Sequence, residues 1–435
     1  MATTALAEGL SRRNIHYGWV VVGVTFLTLL VTAAAMGTPG VLIVPLEHEF
    51  GWSDAEISSA LALRILLFGL FGPFAAAFMN RYGVRRVIVC ALALIAAGLL
   101  ASLGMTRVWQ LVVLWGVVVG VGTGLTAMVL AATVATRWFN HRRGLVMGML
   151  AASSATGQLI FLPLIAELTT HYGWRIALVF VSVILGLTAV VTLFLMHDRP
   201  SDLNLPLYGE TAISPPPPAG IGLGSLLMSP LIVLRDCARV PVFWVLFATF
   251  FVCGSSTNGL VQTHFVALCH DYGLEATMAA SVLAMMGAFD FVGTIGSGWL
   301  SDRFDGRWLL FWYYGLRGVS LLYLPFTNFT FYGLSLFAVF YGLDWIATVP
   351  PTVKLTADRF GRERAGMVFG WIFTGHQIGA ASAAIGAGLI RTEYSTYLPA
   401  FFVAGLLCLA AAFLAISVRK STPGVGVLSS APMRA

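Results

Sequence analysis

The chain has 435 residues, of which 58% are hydrophobic and only 10% charged, against about 25% charged in an ordinary soluble domain. With 25 basic and 19 acidic residues there is too little charge to cover a water-facing surface of this size, so a soluble enzyme is excluded and lipid is the expected solvent. The net charge of +6 is no nucleic-acid signature, because all cations except Lys354 and Lys420 are arginines, set between long apolar runs in the pattern of membrane topology.

The first apolar run follows Ser11-Arg12-Arg13 and contains Ala33-Ala34-Ala35, which imitates a cleavable export signal. It continues to Pro45, about 28 residues, too long for a signal core and enough for a tilted spanning helix. Apolar runs of about 20 residues bounded by charge then predict twelve spans. The first six are Tyr17–Leu46, Ser53–Met79, Val84–Met105, Val108–Thr136, Arg143–Thr169 and Gly173–Met196. The second six are Val240–Leu268, Thr277–Ser301, Trp308–Thr327, Phe329–Thr356, Ala365–Ile390 and Thr396–Val418. Between the sets, Asp198 to about Gly224 carries Pro215-Pro216-Pro217-Pro218 and several acidic and Ser residues; four prolines favour an extended, solvated chain that cannot cross a bilayer. Leu226–Arg239 mixes apolar residues with Arg235, Asp236 and Arg239, as an interfacial helix does. The expected organisation is a six-helix bundle over 1–197, a linker over 198–239, a second six-helix bundle over 240–420 and a tail over 421–435.

Placing the N-terminus inside puts twenty basic residues in inner segments and only Arg107, Arg175 and Arg391 in outer loops. That asymmetry assigns both termini and the linker to the cytoplasm of a multi-pass cell-membrane protein, with a bacterial inner membrane the expected location. The halves also repeat. Asn80-Arg81-Tyr82-Gly83-Val84-Arg85-Arg86 after the second span answers Asp302-Arg303-Phe304-Asp305-Gly306-Arg307 after the eighth, and Phe139-x-x-x-Arg143 answers Phe360-x-x-x-Arg364. Both pairs keep nearly the same offset, which predicts two bundles related by a parallel repeat, with a binding site at their interface near the bilayer midplane.

Gly298-Trp299-Leu300-Ser301-Asp302-Arg303 followed by Gly306-Arg307 resembles the G-x-x-x-D-R-x-G-R-R/K signature of the major facilitator superfamily. The first-half copy is degenerate, with Ala76 for the glycine and Asn80 for the aspartate. Within the superfamily the chain resembles the monocarboxylate porter and oxalate–formate exchanger branch. The residues that carry this are His16-Tyr17-Gly18-Trp19-Val20, Trp138-Phe139-x-x-x-Arg143-Gly144-x-x-x-Gly148, Gly173-Trp174-Arg175 and Asp290. The branch's arginine four residues after that aspartate is Thr294 here, and no lysine occurs around Gly37-Thr38-Pro39, so the cation for a carboxylate must come from elsewhere. The resemblance implies an all-α membrane protein of twelve transmembrane helices in two six-helix bundles, alternating access by rocking, a gating loop formed by Asn80, Arg81, Gly83, Arg85, Asp302, Arg303, Gly306 and Arg307, and a cavity lined by spans 1, 4, 7 and 10.

Ionisable groups inside a span cost about 2.5–3.5 kcal/mol each on insertion scales and so mark function. At about 1.5 Å rise per residue, Asp290, Arg317, Asp344 and His376 all reach similar depth, about 15–18 Å from the nearest charged loop. Asp290, Asp344 and His376 are the candidates for proton coupling, and Arg317 for holding a carboxylate or, as a structural partner, pairing with Asp290. Arg64 in span 2 has no acid in the interior of any span of its bundle, Asp54, Glu56 and Glu167 lying at span ends; a guanidinium suits a carboxylate bidentately, so it is a candidate substrate anchor, against snorkelling or bonding to backbone carbonyls. Thr123, Asn258 and Gln262 are uncharged candidates for substrate contact, with helix-to-helix hydrogen bonding the alternative.

Other chemistries lack their residues. Cys90, Cys237, Cys253, Cys269 and Cys408 offer neither a disulfide framework nor a metal pair, and read as packing. Gly120-x-Gly122-x-Gly124 follows no strand and reads as helix packing, like the pairs Gly144/Gly148 and Gly375/Gly379. Neither lysine follows a glycine, so no P-loop exists, and no H-E-x-x-H or Ser and Lys pairing suggests an intramembrane enzyme. The Gly-Pro element of drug–proton antiporters is absent from span 5, where Gly157 and Pro163 stand six residues apart. The expected function is secondary transport of a small organic anion, foremost a monocarboxylate, by proton symport or anion exchange, without cofactor, metal or nucleic acid, and as a monomer in the bilayer. Transport of another small solute (sugar, drug or siderophore) and a non-transporting membrane sensor are the alternatives.

Overall fold

The computed structural model describes residues 9, 12–13, 15–213 and 223–418; the prolines at 215–218 and the tail at 421–435 lie outside the described residues. Among these residues no β-strand forms, and one isolated bridge joins Phe139 to Tyr208. The helices are α1 (Gly18–Phe50), α2 (Asp54–Leu70), α3 (Gly72–Tyr82), α4 (Val84–Ala101), α5 (Val108–Trp138, interrupted near Thr126), α6 (Arg143–Tyr172) and α7 (Trp174–Leu195). After them come α8 (Leu223–Cys237), α9 (Pro241–Asp271), α10 (Ala276–Ser301), α11 (Gly306–Tyr323), α12 (Phe331–Asp344), α13 (Val349–Phe360), α14 (Arg362–Tyr394) and α15 (Leu398–Ile416).

Nine helical stretches among the described residues are long and apolar enough to cross a membrane, α12 and α13 counting as one, and α2 with α3 makes a tenth, bent by 53°. The remaining two of the twelve predicted spans are α11, which carries Arg317, and α14, which carries His376 and Gln377; their polar residues dilute the apolar signal. The α2–α3 bend falls at Phe71, just before Pro73, as proline cannot continue the hydrogen-bond ladder.

The chain packs as two compact units. One comprises residues up to His141 together with Ser153–Pro230, the other Arg142–Ala152 together with Leu231 onward. In the first, small residues let helices close: a Cβ on Gly116 or Gly120 would lie 3.2 Å from the Ala60 carbonyl or the Arg64 Cα of α2. The segment after α7, which composition marks as a solvated linker, begins docked on this unit. Asp198 accepts from the Arg85 amide at 2.8 Å, Tyr208 N–H donates to the Trp138 carbonyl at 2.9 Å, and the Tyr208 carbonyl accepts from Asn140 and His141. The reason is aromatic: His16, Trp19 and Phe139 all pack their rings on Tyr208 at 5.4–6.0 Å.

His16 pins this docking in its neutral form. Its Nδ1 accepts the Gly18 amide at 3.1 Å while Nε2–H donates to the Pro206 carbonyl at 3.0 Å. Burial lowers the pKa of His16 and likewise of nearby His197 from the ordinary 6.5. A histidine depressed in the folded state contributes stability that is present above pH 6.5 and lost as pH falls through the folded value. Thermal unfolding in detergent is therefore expected to drop between pH 7.5 and 5, and His16→Gln to flatten that slope; an unchanged slope would discount the pin.

In the second unit Phe265, Phe337 and Tyr341 stack in sequence, at 5.9 and 5.2 Å between centroids, inside a core shared by α9, α10, α12 and α15. Two glycines set the spacing of the helices that carry ionisable residues. A side chain on Gly293 would collide with the Leu343 carbonyl, and one on Gly254 with the His376 carbonyl. Helix α8 exposes Leu227, Met228 and Leu231, and near its end Asp236 lies 3.9 Å from Arg364.

Candidate functional site

The site in the second unit is organised by a broken helix. Pro350 and Pro351 have no N–H to offer the carbonyls four residues earlier, so the chain leaves helical geometry between Asp344 and Val349 and frees backbone groups in an apolar interior. Side chains of neighbouring helices take them up. Asp290 on α10 accepts the Ile346 amide at 2.9 Å, Ser297 donates to the Ala347 carbonyl at 2.5 Å, and Arg317 on α11 donates through Nη2 to the carbonyls of Asp344 (2.5 Å) and Trp345 (2.9 Å).

Arg317 is fully buried and pairs with Asp344, its Nε lying 2.8 Å from Oδ2. Its Nη1 donates to Cys253 Sγ at 3.1 Å and Ser256 Oγ at 3.4 Å on α9, so all five guanidinium N–H groups are engaged. The Tyr314 ring lies 5.6 Å from the guanidinium carbon, and the Tyr341 hydroxyl donates to the Ser256 carbonyl at 2.7 Å. The pairing of Arg317 with Asp290 expected from depth alone is not what forms. Asp290 Oδ1 instead accepts from Thr294 at 2.7 Å, one turn on, where the branch's arginine would stand.

Three buried polar atoms here, Asp344 Oδ1, His376 Nδ1 and the Tyr314 hydroxyl, have no hydrogen-bond partner among the described residues, and residues 344 and 376 are 3% and 8% exposed. His376 packs between Phe250 and Phe373, at 5.1 and 5.7 Å, and its imidazole neighbours Cys253, whose thiol also lies 3.3 Å from Thr348 Oγ1. The structure thus gathers Asp290, Arg317, Asp344 and His376 around Cys253, Ser256, Thr294 and Thr348. Sequence reasoning passed over the last four, reading Cys253 as packing; the signal that points to them is Pro350-Pro351, which forces polar neighbours to gather at a mid-span break. Helix α9 adds a π-helical turn at Ser255–Val261, of the kind that often accompanies function. Within it Asn258 is exposed, and Gln262 just beyond it is exposed too.

Arg64 stands apart from these, in the first unit. It is 7% exposed, no acidic side chain among the described residues pairs with it, and its hydrogen bond is to the Ala35 carbonyl, 3.3 Å from Nη1. Thr123 is buried with its hydroxyl donating back to the Val119 and Gly120 carbonyls of its own helix.

The two repeated loops differ. Asp302 accepts the amides of Gly144 (2.7 Å) and Leu145 (2.9 Å), capping the first turn of α6 with a carboxylate where the helix dipole favours one. Gly298, one turn before it, has no room for a Cβ against the Gly144 carbonyl, which is why that signature position is glycine. Asn80 instead accepts from Arg137, and Gly83, at φ +88°, has Asp198 where a Cβ would be. Arg81 and Arg303 lie over Tyr82 and Trp299, at 5.3 and 3.8 Å from the ring centroids; Gly306 opens α11, and Arg307 chelates Asp305 at 2.7–3.2 Å. Asp302→Ala is expected to cost about 1–2 kcal/mol, read by chemical denaturation, while Asn80→Ala costs less; equal losses would contradict the capping role.

The family model for the Major Facilitator Superfamily matches residues 25–384 and 270–431. The chain is 27% identical over 420 residues to monocarboxylate transporter 13 of Rattus norvegicus, covering 96% of this chain and 92% of that one. It is 26% identical over 422 residues to monocarboxylate transporter 12-B of Danio rerio, covering 92% and 87%. Among solved structures, the human organic anion transporter MFSD10 (TETRAN) superposes with a TM-score of 0.69 at 16% identity, covering 92% of this chain and 99% of that one, and the proton:xylose symporter XylE with 0.68 at 14%, covering 91% and 94%. The likeness to both structures is one of fold. The chain belongs to the major facilitator superfamily, as a multi-pass membrane transporter resembling the monocarboxylate porter branch.

Proposed function

We propose that the protein is a secondary active transporter of a small organic anion, a monocarboxylate, carried in symport with a proton by alternating access. The observation that carries this reading is Arg64: a buried guanidinium held by one carbonyl, with no acid beside it among the described residues, is a cation awaiting an anion. The relatives named monocarboxylate transporters support a carboxylate. The proton falls to the second unit, where Asp344 Oδ1 has no donor among the described residues and Asp290 and His376 are buried nearby. In this reading Arg64 anchors the carboxylate in the first unit, and in the second Arg317 holds Asp344 in place until it is protonated. The twenty-to-three bias of cations supports an orientation with both termini in the cytoplasm.

Uptake into proteoliposomes tests it, with labelled monocarboxylates, dicarboxylates, sugars and cations, with and without an inward proton gradient. Monocarboxylate uptake accelerated by the gradient is expected. Uptake indifferent to the gradient but driven by internal anion would replace symport with exchange, and absence of carboxylate uptake would overturn the substrate class.

A further inference from the structure

Besides the buried network, the second unit has a cavity of about 300 Å³ where the first turn of α11 meets α13 and the last turn of α15. Three cations line it: Arg307, Lys354 and Arg359. Two carboxylates, Asp305 and Asp358, line it as well, but both are committed. Asp305 is chelated by Arg307 and also accepts the Arg307 amide at 3.0 Å, capping α11. Asp358 reaches toward Arg143 at 3.9 Å, with Lys354 and Arg362 also acting on it. Lys354 spends one of its three donors on the Ser301 carbonyl.

Arg359 is the exception. Half-buried, it makes no hydrogen bond or ion pair with any described residue, and its Nε is enclosed without a partner. A half-buried guanidinium with its Nε enclosed and unpaired, beside a second cation in a cavity, calls for an oxyanion with several acceptors. The walls between the charges are apolar, formed by Val242, Leu355 and Val418, and Phe304 and Trp308 beside them are exposed, as aromatics at a bilayer interface are. Basic pockets among spanning helices at this level suit lipid head groups.

We propose that this cavity is a phosphate-group site, in which Arg359 and Lys354 bind the phosphate of an anionic phospholipid head group while the acyl chains lie along Phe304 and Trp308. The site is separate from the substrate pathway proposed above and does not depend on it.

The test is thermal unfolding of the detergent-purified full chain titrated with phosphatidylglycerol, phosphatidylcholine or inorganic phosphate, for the parent, Arg359→Gln, Arg359→Lys and Lys354→Gln. Phosphatidylglycerol is expected to raise the midpoint where phosphatidylcholine does not. Arg359→Gln should weaken the apparent affinity about tenfold, the loss of one charge-assisted contact, Arg359→Lys should restore part of it, and Lys354→Gln should weaken it too. A rise with inorganic phosphate that Arg359→Gln abolishes would support the phosphate site and identify a soluble source instead of a lipid. Equal effects of the two lipids, or a response unchanged in Arg359→Gln, would overturn the proposal.

Discussion

Replacing Asp344 with Asn is expected to cost the folded protein about 3–5 kcal/mol, and to cost more than replacing its partner Arg317 with Gln. The asymmetry comes from what each survivor can do. In Asp344→Asn the guanidinium stays in a site with 0% exposure and cannot shed its proton, so a full charge is left buried and uncompensated. In Arg317→Gln the remaining carboxyl can take a proton and become neutral, though the carbonyls of Asp344 and Trp345 each lose a donor. The damage in Arg317→Gln should therefore shrink as pH falls, and that in Asp344→Asn should not. A double variant, Arg317→Leu with Asp344→Leu, removes both charges and should recover most of what Asp344→Asn loses. Unfolding midpoints in detergent from pH 5 to 8 decide the matter. Equal, pH-independent losses in the two single variants would mean that the pair is not an ion pair.

The same network shows what a linear reading can reach. Apolar run length between charges located the helices of all twelve spans, ten of them, among the described residues, apolar enough to cross a bilayer by composition alone and α11 and α14 diluted by their polar residues, and the ionisable residues stood out because apolar surroundings make them costly. Depth along a helix follows from counting residues, so Asp290, Arg317, Asp344 and His376 could be placed at one level. Rotation about each helix axis does not follow from counting, and rotation chooses partners: Arg317 turns to Asp344, and Asp290 to the backbone of the broken span. The break itself was legible in Pro350-Pro351, yet read as part of one continuous span it hid the demand for polar neighbours that brings in Ser297, Cys253 and Ser256. Thr123 illustrates the converse. A hydroxyl at the right depth is satisfied by its own helix, as Ser and Thr in apolar helices commonly are. The docked segment after α7 was masked by composition, since its Pro and Asp residues look like linker while one tyrosine, Tyr208, anchors it through aromatic contacts made by residues far away in the chain.

Arg64→Gln should separate affinity from stability, which few substitutions in a transporter do. The guanidinium accepts little help from the protein, one 3.3 Å bond to the Ala35 carbonyl, and helix packing at this point uses the Arg64 backbone, which Gly120 approaches, rather than its side chain. Removing a buried, unpaired charge relieves a desolvation cost, so without substrate the variant should be at least as stable as the parent. With substrate the order should reverse. A charge-assisted contact to a carboxylate is worth about 1.5–3 kcal/mol, so substrate affinity should fall about 10- to 100-fold, and the stabilisation that saturating substrate gives the parent should vanish at the same concentration. Arg64→Lys keeps the charge but not the planar fork, and should fall between the two. Melting curves with and without a transported monocarboxylate, alongside proteoliposome uptake, measure both quantities on the same samples. If Arg64→Gln instead loses stability and keeps its affinity, Arg64 is a structural residue of α2, and the carboxylate is bound by another cation.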